Sequence, residues 1–356
     1  MNTLVTYFFR HAHDTYFSIE RLFKQITAQV NQTHPNGYEA REVQMPYTSK
    51  MGTIIRNILY ASRNQSAVNH ITGDIHYAIL GCKKKHVNIL TIHDCVALHR
   101  FSRSSLKFWI LNYLWYKWPV KKADMVTVIS ENTRRELLEF THCDPAKIRV
   151  IYNFVDPSFV YSPSVFQGQT PTILFIGTTV NKNLERMAEA IEGMDVLLDI
   201  VGPLTDQQLE VLNYFEINFR QSQRITDEML MLKYRVCDIV AFPSTYEGFG
   251  LPIIEAQATG RPVLTSLLSP MQEVAGQGAC LVDPFDTASI RAGIERIITD
   301  PAYRASIIQK GLENVTRFRL ENITGQYADL YREILEKKVP LKNNHPSVRN
   351  SRNIEL

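Results

Sequence analysis

The sequence predicts an α/β fold built as two parallel-sheet domains, and three observations carry that expectation. Short apolar runs alternate with helical patterns in both halves of the chain. At 356 residues the chain exceeds what a single hydrophobic core comfortably holds. A weakly periodic stretch, residues 153–171, rich in Pro, Ser, Gln and Gly, interrupts it near the middle.

In the first half, apolar runs at Leu4–Phe9, Val87–Ile92, Met125–Ile129 and Ile148–Tyr152 read as strands. The clearest helix starts near Ser18, a cap-type residue, and places Ile19, Leu22, Phe23, Ile26 and Val30 on one stripe. In the second half, strands are expected near Ile173–Ile176, Val196–Val201, Ile239–Phe242, Val263–Thr265 and Ala279–Val282, with helices from Asn183 and Thr287 among those that follow. The expected division is a first domain over 1–158, a linker over 159–171 and a second domain over 172–320. A last helix over 321–338 is expected to pack back toward the first domain, and the polar tail 339–356 reads as disordered.

Composition narrows the function classes. Hydrophobic content of 45% and charged content of 21% suit a soluble globular enzyme, and a formal net charge of +3 makes no case for nucleic acid. The five cysteines are scattered and odd in number, with no CxxC pair, which argues for a reducing compartment and against a disulfide or zinc framework. The N-terminus turns polar too soon for the apolar core of a signal peptide, so a cytoplasmic location is expected.

The most apolar stretch, Phe108 to Trp118, falls short of the roughly 20 residues that span a bilayer. Its aromatic residues lie between Lys107 and Lys117, Lys121 and Lys122, a composition that suits the headgroup region of an anionic membrane. A helix packed on the sheet with solvated lysines at its ends is the competing reading.

The most informative segment is Tyr246-Glu247-Gly248-Phe249-Gly250-Leu251-Pro252-Ile253-Ile254-Glu255. Pro252 suits a first helical turn, where its missing N–H has no partner to lose. Gly248 and Gly250 let backbone N–H groups approach a ligand, and those groups stand at the positive end of a helix dipole. The preceding run Val236–Ser244 reads as a buried strand, so strand, Gly-rich loop and helix follow in the order that binds nucleotides at a sheet's C-terminal edge. Glu247 then lies in the loop and Glu255 about one turn into the helix. A helical glutamate can accept from both hydroxyls of a ribose; a capping acid plus a surface acid is the alternative.

The segment from Ile173 to Arg186 again runs strand, Gly177 turn and helix, with Asn183 as a cap-type residue near the helix start. Lys182, just before it, could reach a phosphate in the same crevice, or could simply be solvated.

These pieces, in this order, resemble the retaining nucleotide-sugar glycosyltransferases of family 4, the group 1 or glycogen-synthase-like transferases. Tyr246 to Glu255 is similar to their E-x7-E signature, Gly177 to Arg186 to their phosphate turn, and Asp227-Glu228 with Met229 to the loop beside the base. Thr259-Gly260-Arg261-Pro262-Val263 resembles the strand after the signature helix. Thr91-Ile92-His93-Asp94 resembles the His-Asp turn, and Val128-Ile129-Ser130 the strand end opposite the donor.

The resemblance implies a GT-B fold, two facing Rossmann-like domains with a cleft between them. It implies transfer from a nucleoside-diphosphate sugar to a hydroxyl acceptor, in making cell-surface polysaccharide, with no metal or other cofactor. Glu255 would bind the ribose, Glu247 the transferred sugar, and Lys182 with the N–H groups of Gly248, Phe249, Gly250 and Leu251 the pyrophosphate. Gly177, Thr178 and Ile225 fall with the donor-binding residues, and His93 would reach the donor sugar from the first domain. Lys182, Glu247 and His93 are thus the expected catalytic residues. His76, Asp94 and Asp74 fall on the acceptor side, with His70 near them, and the acceptor is a saccharide or lipid-linked saccharide.

Two departures stand out. Many members carry an arginine after the turn glycine, where this chain has Thr178, which shifts phosphate charge toward Lys182 or Arg186. The Gly-Gly loop usual near the N-terminus is replaced by His11–Glu20; a metal-site reading of His11, His13 and Asp14 is the lesser alternative. A non-catalytic sugar-nucleotide-binding subunit or a sugar phosphorylase would share the fold. A nicotinamide oxidoreductase would need a G-x-G-x-x-G run that does not occur.

Overall fold

The computed structural model describes residues 2–11 and 18–338. Each half forms a six-stranded parallel sheet flanked by helices, the layered α/β architecture that strand–helix alternation dictates. The first sheet contains β1 (Thr3–Phe9), β2 (Tyr38–Gln44), β3 (Val68–Ile71), β4 (Val87–Ile92), β5 (Met125–Val128) and β6 (Ile148–Val150), in the order β2-β1-β3-β4-β5-β6. The second contains β7 (Thr172–Ile176), β8 (Leu197–Val201), β9 (Phe219–Ser222), β10 (Ile239–Phe242), β11 (Val263–Ser266) and β12 (Cys280–Val282), in the order β12-β11-β10-β7-β8-β9.

This second order is the doubly wound dinucleotide-binding arrangement, whose direction of winding reverses between β7 and β10. Loops after those two strands part to either side and leave a crevice at the carboxyl ends. In the first sheet the reversal falls between β1 and β3, so the turns following β1, β3 and β4 frame a second crevice.

Strands β2, β3 and β9 were not apparent as apolar runs. Strands β2 and β9 are edge strands, and their exposed faces carry Glu39, Glu42, Arg220 and Gln221. Strand β3 is only four residues long and includes Asn69 and His70, both buried.

The C-terminal helix Leu320–Lys338 packs against the first domain. Ile323, Tyr327, Leu330, Tyr331 and Ile334 join Val5, Tyr7, Phe23 and Val68 in one apolar cluster. Inside it, His70 Nδ1 lies 2.7 Å from Tyr331 Oη, which donates to Tyr7 Oη at 3.0 Å, while His70 Nε2 lies 2.7 Å from Thr91 Oγ1. Burial pushes the imidazole down to about 3. His70 is therefore a neutral core residue bonded on both nitrogens, and its expected place on the acceptor side is corrected.

The helix after β1 begins at Ser18, and the expected cap, like His13 and Asp14, borders or lies outside the described residues; so does the tail beyond 338. His11 is described, with Nδ1 3.3 Å from Met45 O.

Candidate active site

Strand β7 ends at Ile176, and Gly177 follows at φ 87°, a left-handed conformation that glycine takes without a Cβ penalty. A Cβ at Gly177 would stand 2.9 Å from Lys182 Cε and 3.1 Å from its Cγ. The missing side chain thus provides the path along which the lysine stem runs. After one 3-10 turn, Val180–Lys182, the ammonium lies 2.5 Å from Glu247 Oε1 and 4.5 Å from the centre of the Phe242 ring.

Asn181 Nδ2 donates to Tyr246 O at 2.9 Å and to Glu247 Oε1 at 3.1 Å, and Thr245 N donates to Asn181 O at 2.8 Å. The loops after β7 and β10 are therefore joined by backbone and side-chain bonds across the crevice.

Asn183 does not cap the helix that follows. It sits at φ 69°, and its Nδ2 donates to Pro243 O at 3.1 Å and Pro284 O at 2.6 Å. It ties three loops together, and that task takes its side chain away from the helix N–H groups. Thr178 is turned inward as well, its Oγ1 donating to Pro203 O. Arg186 holds Asn183 Oδ1 at 3.0 Å and lies over the Phe285 ring.

Gly250, at φ 104°, precedes the helix Leu251–Thr259, with Pro252 in its first turn. Phe249 is buried, its ring 5.7 Å from Phe318 and 6.2 Å from Tyr152, so it anchors the loop and leaves its backbone for a ligand. Pro252 has no N–H and Ile253 N donates to Gly250 O at 3.0 Å, so the backbone N–H groups leading into Pro252 are those that stand at the helix's positive end.

Glu255, in the second turn, accepts a hydrogen bond from Tyr234 Oη at 2.6 Å. Burial pushes its carboxyl up to about 7, against the opposing pull of that bond and of Arg21. Glu255 and Leu251 line a cavity of about 110 Å³ together with Arg21, Gln25, Asp227 and Leu230. Arg21, from the first domain, reaches Asp227 at 2.5 Å and Asp156 at 2.6 Å, so the two domains share this cavity. Ile225 stands just before the Thr226 cap of the helix Asp227–Val236, outside the lining.

The crevice of the first sheet is a cavity of about 390 Å³. It brings together His93, Asp94, Asp74 and His76, with Arg10 and Arg100. The first four come from turns after β3 and β4, as the reversal between β1 and β3 requires. His93 Nε2 donates to Thr72 O at 2.8 Å and His76 Nδ1 to Trp115 O at 2.9 Å. Burial holds both imidazoles below the usual histidine range. Each ring is neutral, with the remaining nitrogen an acceptor. Asp74 takes the Trp115 indole N–H at 2.7 Å, and Asp94 accepts from Val96 N at 3.0 Å.

The two crevices meet at Gly248. Ser130 Oγ donates to Gly248 O at 2.9 Å, and a Cβ on Gly248 would lie 2.8 Å from His93 O. Glu273 of the second domain accepts from Glu131 N at 3.0 Å, and Tyr246 Oη donates to Glu136 at 2.9 Å. Arg10, Arg21, Arg100, Asn181 and Tyr234 were absent from the sequence-based set. Of these, only Asn181 lies inside a recognisable motif; Tyr234 reaches Glu255 from a separate helix, a closeness that only the tertiary fold creates.

Among the described residues, no group of three His, Cys, Asp or Glu side chains is placed to hold a metal, and no helix is long and apolar enough to cross a membrane.

Two family models match the chain, Glycosyl transferases group 1 over residues 162–314 and Glycosyltransferase Family 4 over residues 36–159. The O-antigen chain mannosyltransferase B of Escherichia coli is 36% identical over 108 residues, 30% of this chain and 28% of that protein. The serotype-specific mannosyltransferase WbdA of Escherichia coli is 27% identical over 226 residues, 57% of this chain and 28% of that protein. The chain thus spans less than a third of the length of either relative. Sucrose-phosphate synthase from Thermosynechococcus elongatus superposes with a TM-score of 0.75 at 18% identity, over 94% of this chain and all of that one, a likeness of fold.

Proposed function

Because this chain belongs to the group 1, family 4 glycosyltransferases of GT-B fold, we propose that it moves a sugar, with retention at the anomeric carbon, from a nucleoside diphosphate to a hydroxyl of a lipid-linked saccharide. The observation that carries this reading is the Lys182–Glu247 pair at the point where the second sheet reverses, between the helix N-terminus at Leu251 and the His93–Asp94 turn.

Breaking the sugar–phosphate bond leaves negative charge on the departing diphosphate. Lys182 and the N–H groups at the start of the helix Leu251–Thr259 supply fixed positive potential where that charge develops, and no metal is needed. Glu255 in its ionised form accepts from both ribose hydroxyls, and Glu247 accepts from hydroxyls of the transferred sugar. The acceptor oxygen attacks the anomeric carbon from the leaving group's face, and its proton passes to the departing phosphate oxygen.

The mannosyltransferases among the relatives favour mannose as the sugar, and polysaccharide of the cell surface as the product. Asp227 favours guanine as the base. One of its oxygens meets Arg21 at 2.5 Å, and a carboxylate can accept from the adjacent N–H donors of guanine. The single N–H of uracil is flanked by carbonyls that a carboxylate repels. Calorimetric titration with GDP and UDP tests this reading. GDP should bind more tightly by about ten-fold or more, the effect of one hydrogen bond to a charged group, and Asp227→Asn should erase the difference. Equal affinities in the unaltered protein would overturn the guanine assignment.

A further inference from the structure

The helical segment after Ser105 has a face that neither crevice uses. Leu106–Leu111 is α-helix, Asn112–Lys117 is a π-helical stretch, and Trp118–Lys122 resumes the α-helix. The wider turn divides the side chains between two directions. Inward, Tyr116 is buried and lines the His93 cavity, Asn112 donates to Phe140 O at 2.9 Å, and Trp115 holds Asp74. Outward, Leu106, Trp109, Ile110, Tyr113, Leu114 and Trp118 are between 44% and 74% exposed. A soluble surface seldom leaves so many large apolar groups adjacent on one element.

Beside this face lies a groove of about 790 Å³, into which Tyr113 and Trp118 project along with Lys84, Lys117, Lys121 and Lys122. Lys147 also lines it, its Nζ donating to Lys121 O at 3.0 Å, and among the described residues Asp144 is the one carboxylate of the lining. Lys117 Nζ stands 5.5 Å from the centre of the Trp109 ring, at the boundary between apolar face and basic groove. The sequence beyond Lys338, which itself donates to Lys84 O, carries Lys342, Arg349 and Arg352 against Glu355.

We propose that this face docks the protein on an anionic lipid bilayer, with the outward side chains of Trp109, Ile110, Tyr113, Leu114 and Trp118 at the level of the headgroups and the lysine groove on lipid phosphates. Aromatic side chains with one polar edge favour that interfacial level, and lysine stems cover apolar surface while their ammonium groups stay with the phosphates. The same helix then has lipid on one side and the His93 cavity on the other. A saccharide carried on a lipid would reach the cavity without leaving the membrane plane. The docking needs neither donor nor transfer, so its test is independent of the catalytic reading.

All three tryptophans of the chain, Trp109, Trp115 and Trp118, lie on this segment, so intrinsic fluorescence reports on it alone. Vesicles of equal parts phosphatidylcholine and phosphatidylglycerol should shift the emission of the full-length protein to the blue and carry the protein down on sedimentation. Pure phosphatidylcholine should do so far less, and added salt should reverse the binding. The variant Lys117→Gln/Lys121→Gln/Lys122→Gln should bind the anionic vesicles about 100-fold more weakly, at roughly five-fold per lysine. Ile110→Asp/Leu114→Asp, two exposed positions, should abolish the blue shift while leaving the thermal midpoint unchanged. Equal binding to neutral and anionic vesicles, or an unshifted emission, would overturn the proposal. So would a dimer formed without lipid and dissolved by Ile110→Asp/Leu114→Asp, which would assign the face to a second copy of the chain.

Discussion

Lys182 Nζ and Glu247 Oε1 lie 2.5 Å apart, bringing a cation from the turn after β7 against an acid from the loop after β10. In this arrangement the two charges neutralise each other until a diphosphate offers the lysine a second partner. Lys182→Ala should lower turnover by about 10²–10³, the usual effect of removing one group that stabilises developing charge. Glu247→Gln leaves the lysine without a carboxylate, so it should bind nucleoside diphosphate at least as tightly as the unaltered protein while transferring sugar slowly. Steady-state kinetics beside calorimetric titration of the diphosphate separates the two effects.

Glu255 carries a pH dependence whose sign is fixed by its burial. Its carboxyl, raised from 4.5 to about 7 by desolvation, stays protonated in the folded protein where the unfolded chain has already released the proton. The unfolded state therefore binds fewer protons between those values, and this group lowers stability as pH rises from about 4.5 to about 7. Glu255→Gln should be more stable than the unaltered protein at pH 8 and equal to it near pH 4, as measured by thermal unfolding without ligand.

Ribose binding calls for the ionised form of the same group. Titrations of the nucleoside diphosphate in buffers of different ionisation enthalpy should show proton release that is largest below about pH 7 and absent in Glu255→Gln.

Gly248 is one of the points where the two domains touch. A methyl group there would stand 2.8 Å from His93 O, which is backbone and cannot swing aside. Gly248→Ala should hold the cleft open, keeping diphosphate binding but losing turnover by about 10²-fold, the cost of roughly 1 Å of misplacement. Titration of the diphosphate together with the transfer rate checks both halves of this expectation.

Tyr331 ties the C-terminal helix to the first sheet through His70 and Tyr7. Tyr331→Phe leaves the buried His70 Nδ1 without its partner and should lower stability by about 1–3 kcal/mol, read by chemical denaturation. Diphosphate affinity measured under native conditions should not change.

Much of the fold was legible in the sequence because central strands of parallel sheets are apolar on both faces, as in Val87–Ile92 and Ile239–Phe242. Edge strands β2 and β9 were not, since their exposed side chains are charged or polar. Glu247, Lys182 and the Gly248–Leu251 loop stand in compact local motifs, whose glycines and proline mark unusual backbone. The groups that hold them in place are distant in sequence. Arg21 meets Asp227, and Tyr234 meets Glu255, through packing that no spacing rule encodes. His70 misled for a related reason, as its strand is too short to show a period and its neighbours His76 and Asp74 do face the crevice.

The central claim is that Lys182, Glu247 and Glu255 together hold and activate a sugar nucleotide. Release of GDP from GDP-mannose by the purified protein, followed with a membrane extract as acceptor and as slow hydrolysis without it, tests this most directly. The unaltered protein should release GDP in both settings, Glu255→Ala should need far more donor to reach any rate, and Lys182→Ala should stay slow at saturating donor. Equal release by all three proteins, at every donor concentration, would contradict the account.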